Sequence, residues 1–157
     1  MRHKKVAKRV TEPDKVYNNV LVTKLINQIM KDGKKTVAEK LVYSALEGLK
    51  EKGLDSIATF EKVVSIVAPK VEIRAKRVGG ANYQVPVEVR PERQKALAIR
   101  WIVEAAQARP SREYHGFDLK LIAEFLDILE EKGAAITKRN NSIKQAEANR
   151  AFAHFRF

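Results

Sequence analysis

Apolar positions recur at helical spacing through the first third of the chain. Leu21, Leu25 and Ile29, with Val22, Ile26 and Met30 beside them, predict a first helix over Tyr17–Lys31. Asp14 or Asn18 supplies its N-cap, and Asp32-Gly33 ends it, since glycine takes positive φ freely. Val37, Leu41, Ala45 and Leu49, flanked by Val42 and Leu46, predict a second helix from Thr36 to the stop at Gly53. Ile57, Phe60, Val63 or Val64, and Val67 predict a third over Ser56–Ala68, capped by Asp55 or Ser56. Pro69 stops it, having no amide hydrogen to give the helical ladder.

The period then changes to two. Val71, Ile73 and Ala75 alternate with Glu72, Arg74 and Lys76, and Tyr83, Val85, Val87 and Val89 alternate with Gln84, Pro86, Glu88 and Arg90. Both runs read as strands, and Gly79-Gly80 between them makes a hairpin over 71–89. Matching the apolar faces sets Val71 opposite Val89, Ile73 opposite Val87 and Ala75 opposite Val85, with an odd-numbered loop. A lone two-stranded ribbon is marginal in water. Its base is therefore expected to lean on helices, while the tip at 76–84 has little to lean on.

Helical spacing returns after Pro91, which suits a first turn. Leu97, Trp101 and Ala105, widened by Ile102 and Val103, mark the buried line of a fourth helix running to about Ala108. Residues 109–117, RPSREYHGF, are irregular, and Arg109 and Arg112 in them are open to either a binding or a structural role. A fifth helix over about Phe117–Glu131 has the core line Leu119, Ile122, Leu126 and Leu129, with Glu124, Asp127, Glu130 and Glu131 at other positions. A last helix, about Lys138–Phe155, is alanine-rich and carries Arg139, Ile143, Ala146, Arg150 and His154 along one side. Phe152, Phe155 and Phe157 either fasten it or reach a neighbour. The fold class is thus mainly α: a six-helix, bundle-like domain with a two-stranded β-hairpin protruding between helices three and four.

Charge adds a functional direction. The 157-residue chain has a net charge of +12, and its length fits one domain. Residues 1–10 sum to +5, 70–100 to +5 and 138–157 to +4, whereas 11–69 sum to +1 and 101–137 to −3. The first ten residues hold too few apolar side chains to pack and read as a flexible basic arm that orders on binding, with 11–157 as the folded domain. Lys34 and Lys35, at the corner between two helices, are either phosphate contacts or solvated turn residues. Arg74, Lys76 and Arg77 crowd the approach to the hairpin tip, where Gly79 and Gly80 permit close backbone approach or simply make the turn, and Tyr83 can stack on a base or pack on a partner. Arg93 and Arg100, seven apart, share a face near the hairpin base. If the fold gathers these segments, the protein has a positive face and a neutral to acidic back.

The same residues weigh against other classes. No apolar run reaches the 18 or so residues of a membrane span, and none follows the basic N-terminus as a signal peptide requires. Zero cysteines rule out disulfides and thiol chemistry. His3, His115 and His154 have no metal-ligand spacing, there is no nucleophile motif, and Gly33-Lys34-Lys35 lacks the glycines of a phosphate-binding loop. A helix-turn-helix DNA reader needs a dense recognition helix, and the third helix is nearly uncharged. Dispersed basic segments suit a folded RNA better than one duplex groove.

Three stretches then carry a family likeness: DGKK at 32–35 with AEKLVYSALE at 38–47, RVGGANYQVPVEVRPERQKALAIRWIVEAA at 77–106, and AEANRAFAHFRF at 146–157. With these, the chain resembles the bacterial members of the family of the seventh small-subunit ribosomal protein. The resemblance implies six helices with a protruding hairpin and no enzymatic activity or cofactor. It implies direct binding to the 3′ major (head) domain of 16S ribosomal RNA, nucleation of head assembly, and a cytoplasmic place in the small subunit. It also implies a monomer when free and a position at the subunit interface, near the messenger exit and the E-site transfer RNA. The ninth and eleventh small-subunit proteins are the expected neighbours, and family members can repress their own messenger.

Carried onto this chain, the expected RNA contacts are Arg2, Lys4, Lys5, Lys8 and Arg9 of the arm, then Lys34 and Lys35. Arg74, Lys76, Arg77, Arg93 and Arg100 follow, with Gly79, Gly80, Asn82 and Tyr83 at the tip, and Lys138, Arg139 and Arg150 on the last helix. Residues 109–125, RPSREYHGFDLKLIAEF, depart from the family's usual short basic loop, so what Arg109 and Arg112 do is left open.

Overall fold

The structure is a computed structural model and describes residues 10–155. The arm residues Arg2, Lys4, Lys5, Lys8 and Arg9, and Phe157, lie outside the described residues. The chain is mainly helical: α1 (Val20–Ile29), α2 (Lys35–Glu51), α3 (Ser56–Val67), β1 (Val71–Val78), β2 (Ala81–Glu88), α4 (Pro91–Ala108), α5 (Phe117–Leu129) and α6 (Ala134–Ala148), then a 3-10 turn over Arg150–Phe155.

Helix α1 starts later than its stripe predicts, because neither expected cap serves. Asn18 has a positive φ, and Asn19 caps the helix, its side chain accepting from the Leu21 N–H at 2.8 Å. Asp14 instead builds the preceding turn: one carboxylate oxygen accepts from the N–H groups of Val16 and Tyr17, both at 3.0 Å. The Tyr43 hydroxyl donates to its other oxygen at 2.7 Å and ties that turn to α2. Burial pushes the Asp14 carboxyl up, but Tyr43 and the backbone donors outweigh it and hold the group below the usual range. Asp55 caps α3 as expected, accepting from Ile57 and Ala58.

Helices α1, α2, α5 and α4 form a ring in which each packs on the next, and α3 packs on α2, α4, α5 and α6. The continuous apolar core fills the space between them, with Phe60 of α3 against Phe125 of α5 at 5.7 Å between ring centroids. Three stripes are rotated from their expected positions. Ala38 rather than Val37 faces the core from α2, and Val37 is exposed. On α4 the buried line is Ala98, Ile99, Ile102, Val103, Ala105 and Ala106, leaving Leu97 and Trp101 half-buried at its margin. The alanines bring the α4 backbone close to its neighbours, which a line of Leu97 and Trp101 would not allow. On α5, Leu121, Ile122, Phe125 and Ile128 are buried, while Leu119, expected in the core, is 47% exposed.

Glu124, off the expected core line, is only 1% exposed. Arg109 donates to it at 2.7 and 2.9 Å and also pairs with Asp127. The other Glu124 oxygen accepts from the Ala135 N–H at 3.2 Å, in the first turn of α6. Arg109 therefore joins the loop after α4 to α5 and α6 from inside the protein. Helix α6 begins at Ala134, after Gly133 at φ +97°, and ends at Ala148 instead of continuing to Phe155.

The hairpin register differs from the face-matching expectation by one residue. Val71 lies opposite Glu88, Ile73 opposite Pro86, Arg74 opposite Val85 and Lys76 opposite Tyr83. The turn explains the shift. Gly79 and Gly80 are both at positive φ, +57° and +89°, as in a two-residue type I′ loop, whose twist suits the flanking strands. A two-residue loop fixes even pairing and overrides the parity of the valines. The cost is a charged residue among aliphatic ones, and Glu72 meets it by finding two arginine partners.

Candidate nucleic-acid interface

One carboxylate organises the base of the hairpin. Glu72 is buried, and Arg74 of the same strand reaches it at 2.6 Å. Arg93, in the first turn of α4, reaches it at 2.7 Å. Burial pushes the Glu72 carboxyl up, but Arg93 and then Arg74 outweigh that and hold it below its ordinary value. The Arg74 and Arg93 side chains keep 57% and 50% of their surface in solvent. Glu72 thus fixes two arginines side by side and leaves a net positive charge facing outward.

Toward the tip the hairpin leans on the chain's own C-terminal segment. Tyr83 sits 5.4 Å from Phe152 and 4.8 Å from Phe155 between ring centroids. Lys76 donates to the Phe155 carbonyl at 3.1 Å. The tip has more support than its sequence indicates, and Tyr83 is held within the molecule instead of standing free for a base. Beyond it, Arg77 and Asn82 are paired across the strands and exposed, next to the glycine turn.

The other expected residues divide by environment. Arg100 and Arg150 are exposed and make no ion pair among the described residues. Lys34, at the N-cap of α2, is exposed, and Lys35 stands 3.9 Å from Glu39 with 53% of its side chain in solvent. Lys138 pairs with Glu104 of α4. Arg139 donates to the Ile66 carbonyl in the last turn of α3 at 2.7 Å, so it joins α6 to α3 as well as carrying charge.

The structure lines up Arg93, Arg100 and Lys34 along one edge. Arg93 lies in the first turn of α4, beside the hairpin base. Further along, Arg100 shares a shallow groove between α1 and α4 with Lys24, Asn27 and Gln28. At the far end, Lys31 and Lys34 line a groove with Gln107 of α4 and Phe117. Helix α4 has 18 residues. From Arg93 to Gln107 at 1.5 Å per residue, the strip from hairpin base to the Lys34 corner is roughly 21 Å long. Lys24 and Lys31 were missed as candidates, although their spacing of seven repeats that of Arg93 and Arg100. Around the ring, the α1–α4 edge lies opposite the α2–α5 edge, whose groove is lined by Glu47, Glu51 and Asp118.

Comparison with known proteins settles the family. The family described as "Ribosomal protein S7p/S5e" matches residues 1–150. The chain belongs to this family. It is 52% identical to the small ribosomal subunit protein uS7 of Clostridium acetobutylicum, over 97% of this chain and 96% of that protein. The uS7 protein of Nautilia profundicola is 51% identical over the whole of both chains. That of Dichelobacter nodosus is 51% identical over 92% of each. Membership makes this a ribosomal, RNA-binding protein of the small subunit with a structural, non-enzymatic role in translation. No helix among the described residues is long and apolar enough to cross a membrane.

Proposed function

We propose that this protein binds the 3′ major (head) domain of 16S ribosomal RNA directly, through the basic α1–α4 edge and the hairpin, and nucleates assembly of the head. It catalyses no chemical step. The observation that carries the reading is the alignment along α4 of Arg74 and Arg93, then Arg100 with Lys24, then Lys31 and Lys34. Charges at fixed positions along such an edge suit the successive phosphates of a folded RNA, which position a protein without reading sequence. Val10, where the described chain begins, is 92% exposed, and we place the basic segment 1–10 with the RNA, ahead of a single domain over 11–157.

In this reading Arg77, Gly79, Gly80 and Asn82 at the hairpin tip reach toward the subunit interface, near the messenger exit and the E-site transfer RNA. Arg150, with Lys138 and Arg139, adds contacts from the C-terminal side. The neighbours are the ninth and eleventh small-subunit proteins, the free protein is a monomer, and its place is the cytoplasmic small subunit. Nuclease footprinting of a head-domain RNA fragment tests this. Protection is expected at a structured junction of several helices, and it should weaken when Lys24 and Arg100 are replaced together by alanine. Protection of a short duplex DNA repeat instead would refute the reading.

A further inference from the structure

The edge opposite the basic strip has the chemistry of a different partner. Helices α2 and α5 enclose an open groove of about 610 Å³. They come close at Gly48, where a Cβ would stand only 2.6 Å from Ile122 Cδ1, so the floor is formed by the glycine backbone with Ile122 and Leu126. Leu119, 47% exposed, continues this apolar surface outward. Glu47 and Glu51 of α2 and Asp118 of α5 stand around it, with Lys52 the one cation among the described residues of the wall. Asp118 is held in place by the Ser44 hydroxyl, which donates to it at 2.7 Å.

On a chain of net charge +12, three carboxylates against one lysine at an apolar groove mark a surface of inverted sign. Phosphates are repelled there. An apolar floor is filled by aliphatic side chains, and the acids favour cations alongside them. We propose that the α2–α5 groove docks a lysine- and arginine-rich segment of another small-subunit protein, with an aliphatic side chain on the floor and cations against Glu47, Glu51 and Asp118. The proposal rests on the placement of the protein in the small subunit. RNA on one edge and a basic protein on the other would make the domain a bridge between them.

A photo-crosslinking residue, p-benzoylphenylalanine, placed at the exposed Leu119 tests this in small subunits reconstituted from purified RNA and proteins. The expected product, identified by mass spectrometry, is an adduct with a net-positive peptide of another small-subunit protein. Adding Glu47→Lys and Glu51→Lys should lower its yield roughly tenfold through like-charge repulsion, while incorporation and the head-RNA footprint stay unchanged. An adduct with RNA, with a second copy of this chain, or insensitive to charge reversal overturns the proposal, as does no adduct from an incorporated protein. Failure to enter the subunit or to footprint head RNA would instead count against the proposed function.

Discussion

Replacing Arg109 by methionine separates the two roles that arginine could have on so basic a protein. Methionine keeps most of the aliphatic volume and removes the guanidinium. The Glu124 carboxylate, 1% exposed, is then left with the Ala135 N–H as its remaining donor. Breaking a buried ion pair by removing one partner destabilises by about 3–5 kcal/mol. Arg109 is 16% exposed, so some water reaches that side, and Asp127, 43% exposed, can be solvated. The expected loss is therefore at the low end, about 3 kcal/mol. Urea denaturation at neutral pH measures it. Adding Glu124→Gln removes the stranded charge and should recover about half of the loss. Affinity for head-domain RNA, measured on the folded fraction, should be unchanged. A stability loss below about 1 kcal/mol, or a tenfold drop in RNA affinity with stability intact, would refute the assignment of Arg109 to the interior.

Glu72→Gln frees Arg74 and Arg93 and should destabilise the hairpin base by about 1–2 kcal/mol at neutral pH, read as added amide exchange in β1 and β2. Because the folded carboxyl titrates below its ordinary 4.5, its contribution is complete above that value and is lost as pH falls through the lower folded one. The difference between variant and parent should therefore shrink on acidification below about pH 4.5 and not on raising the pH. Gly80→Ala meets no neighbouring atom within 4 Å but must hold φ near +89°, so about 1 kcal/mol of strain should appear as local opening of the tip. Deleting 76–84 removes Tyr83 from Phe152 and Phe155 but no residue of the continuous core. A cooperative melt should survive it, and loss of that melt would show the hairpin to be structural.

The elements were legible because each apolar stripe ends at a local stop: Asp32-Gly33, Gly53, Pro69 and Gly133. Which residue of a stripe faces inward was less so. Leu119 and Phe125 are equally apolar, and only packing of Phe125 on Phe60 decides between them. Glu124 shows the same limit. Its position in a helix does not reveal that Arg109, fifteen residues away and on a loop, will neutralise it. The hairpin register failed for a different reason. Alternation alone favours the odd loop, whereas two glycines at positive φ set the loop length and the strands follow. At the interface, the charged segments were visible, and their alignment along α4 was not. That depends on α1 lying beside α4, which also brings in Lys24 and Lys31.

The salt dependence of binding to head-domain RNA tests the placement of the RNA most directly. Neutralising several phosphates along the α1–α4 edge and the hairpin should make log affinity fall linearly with log salt, by about 0.7–0.9 for each phosphate contacted. Replacing Lys24, Arg77 or Arg100 by alanine should each reduce that slope by about one, without a change in the urea melt. A slope near zero, or one that none of these substitutions alters, would contradict the placement of the RNA on this edge.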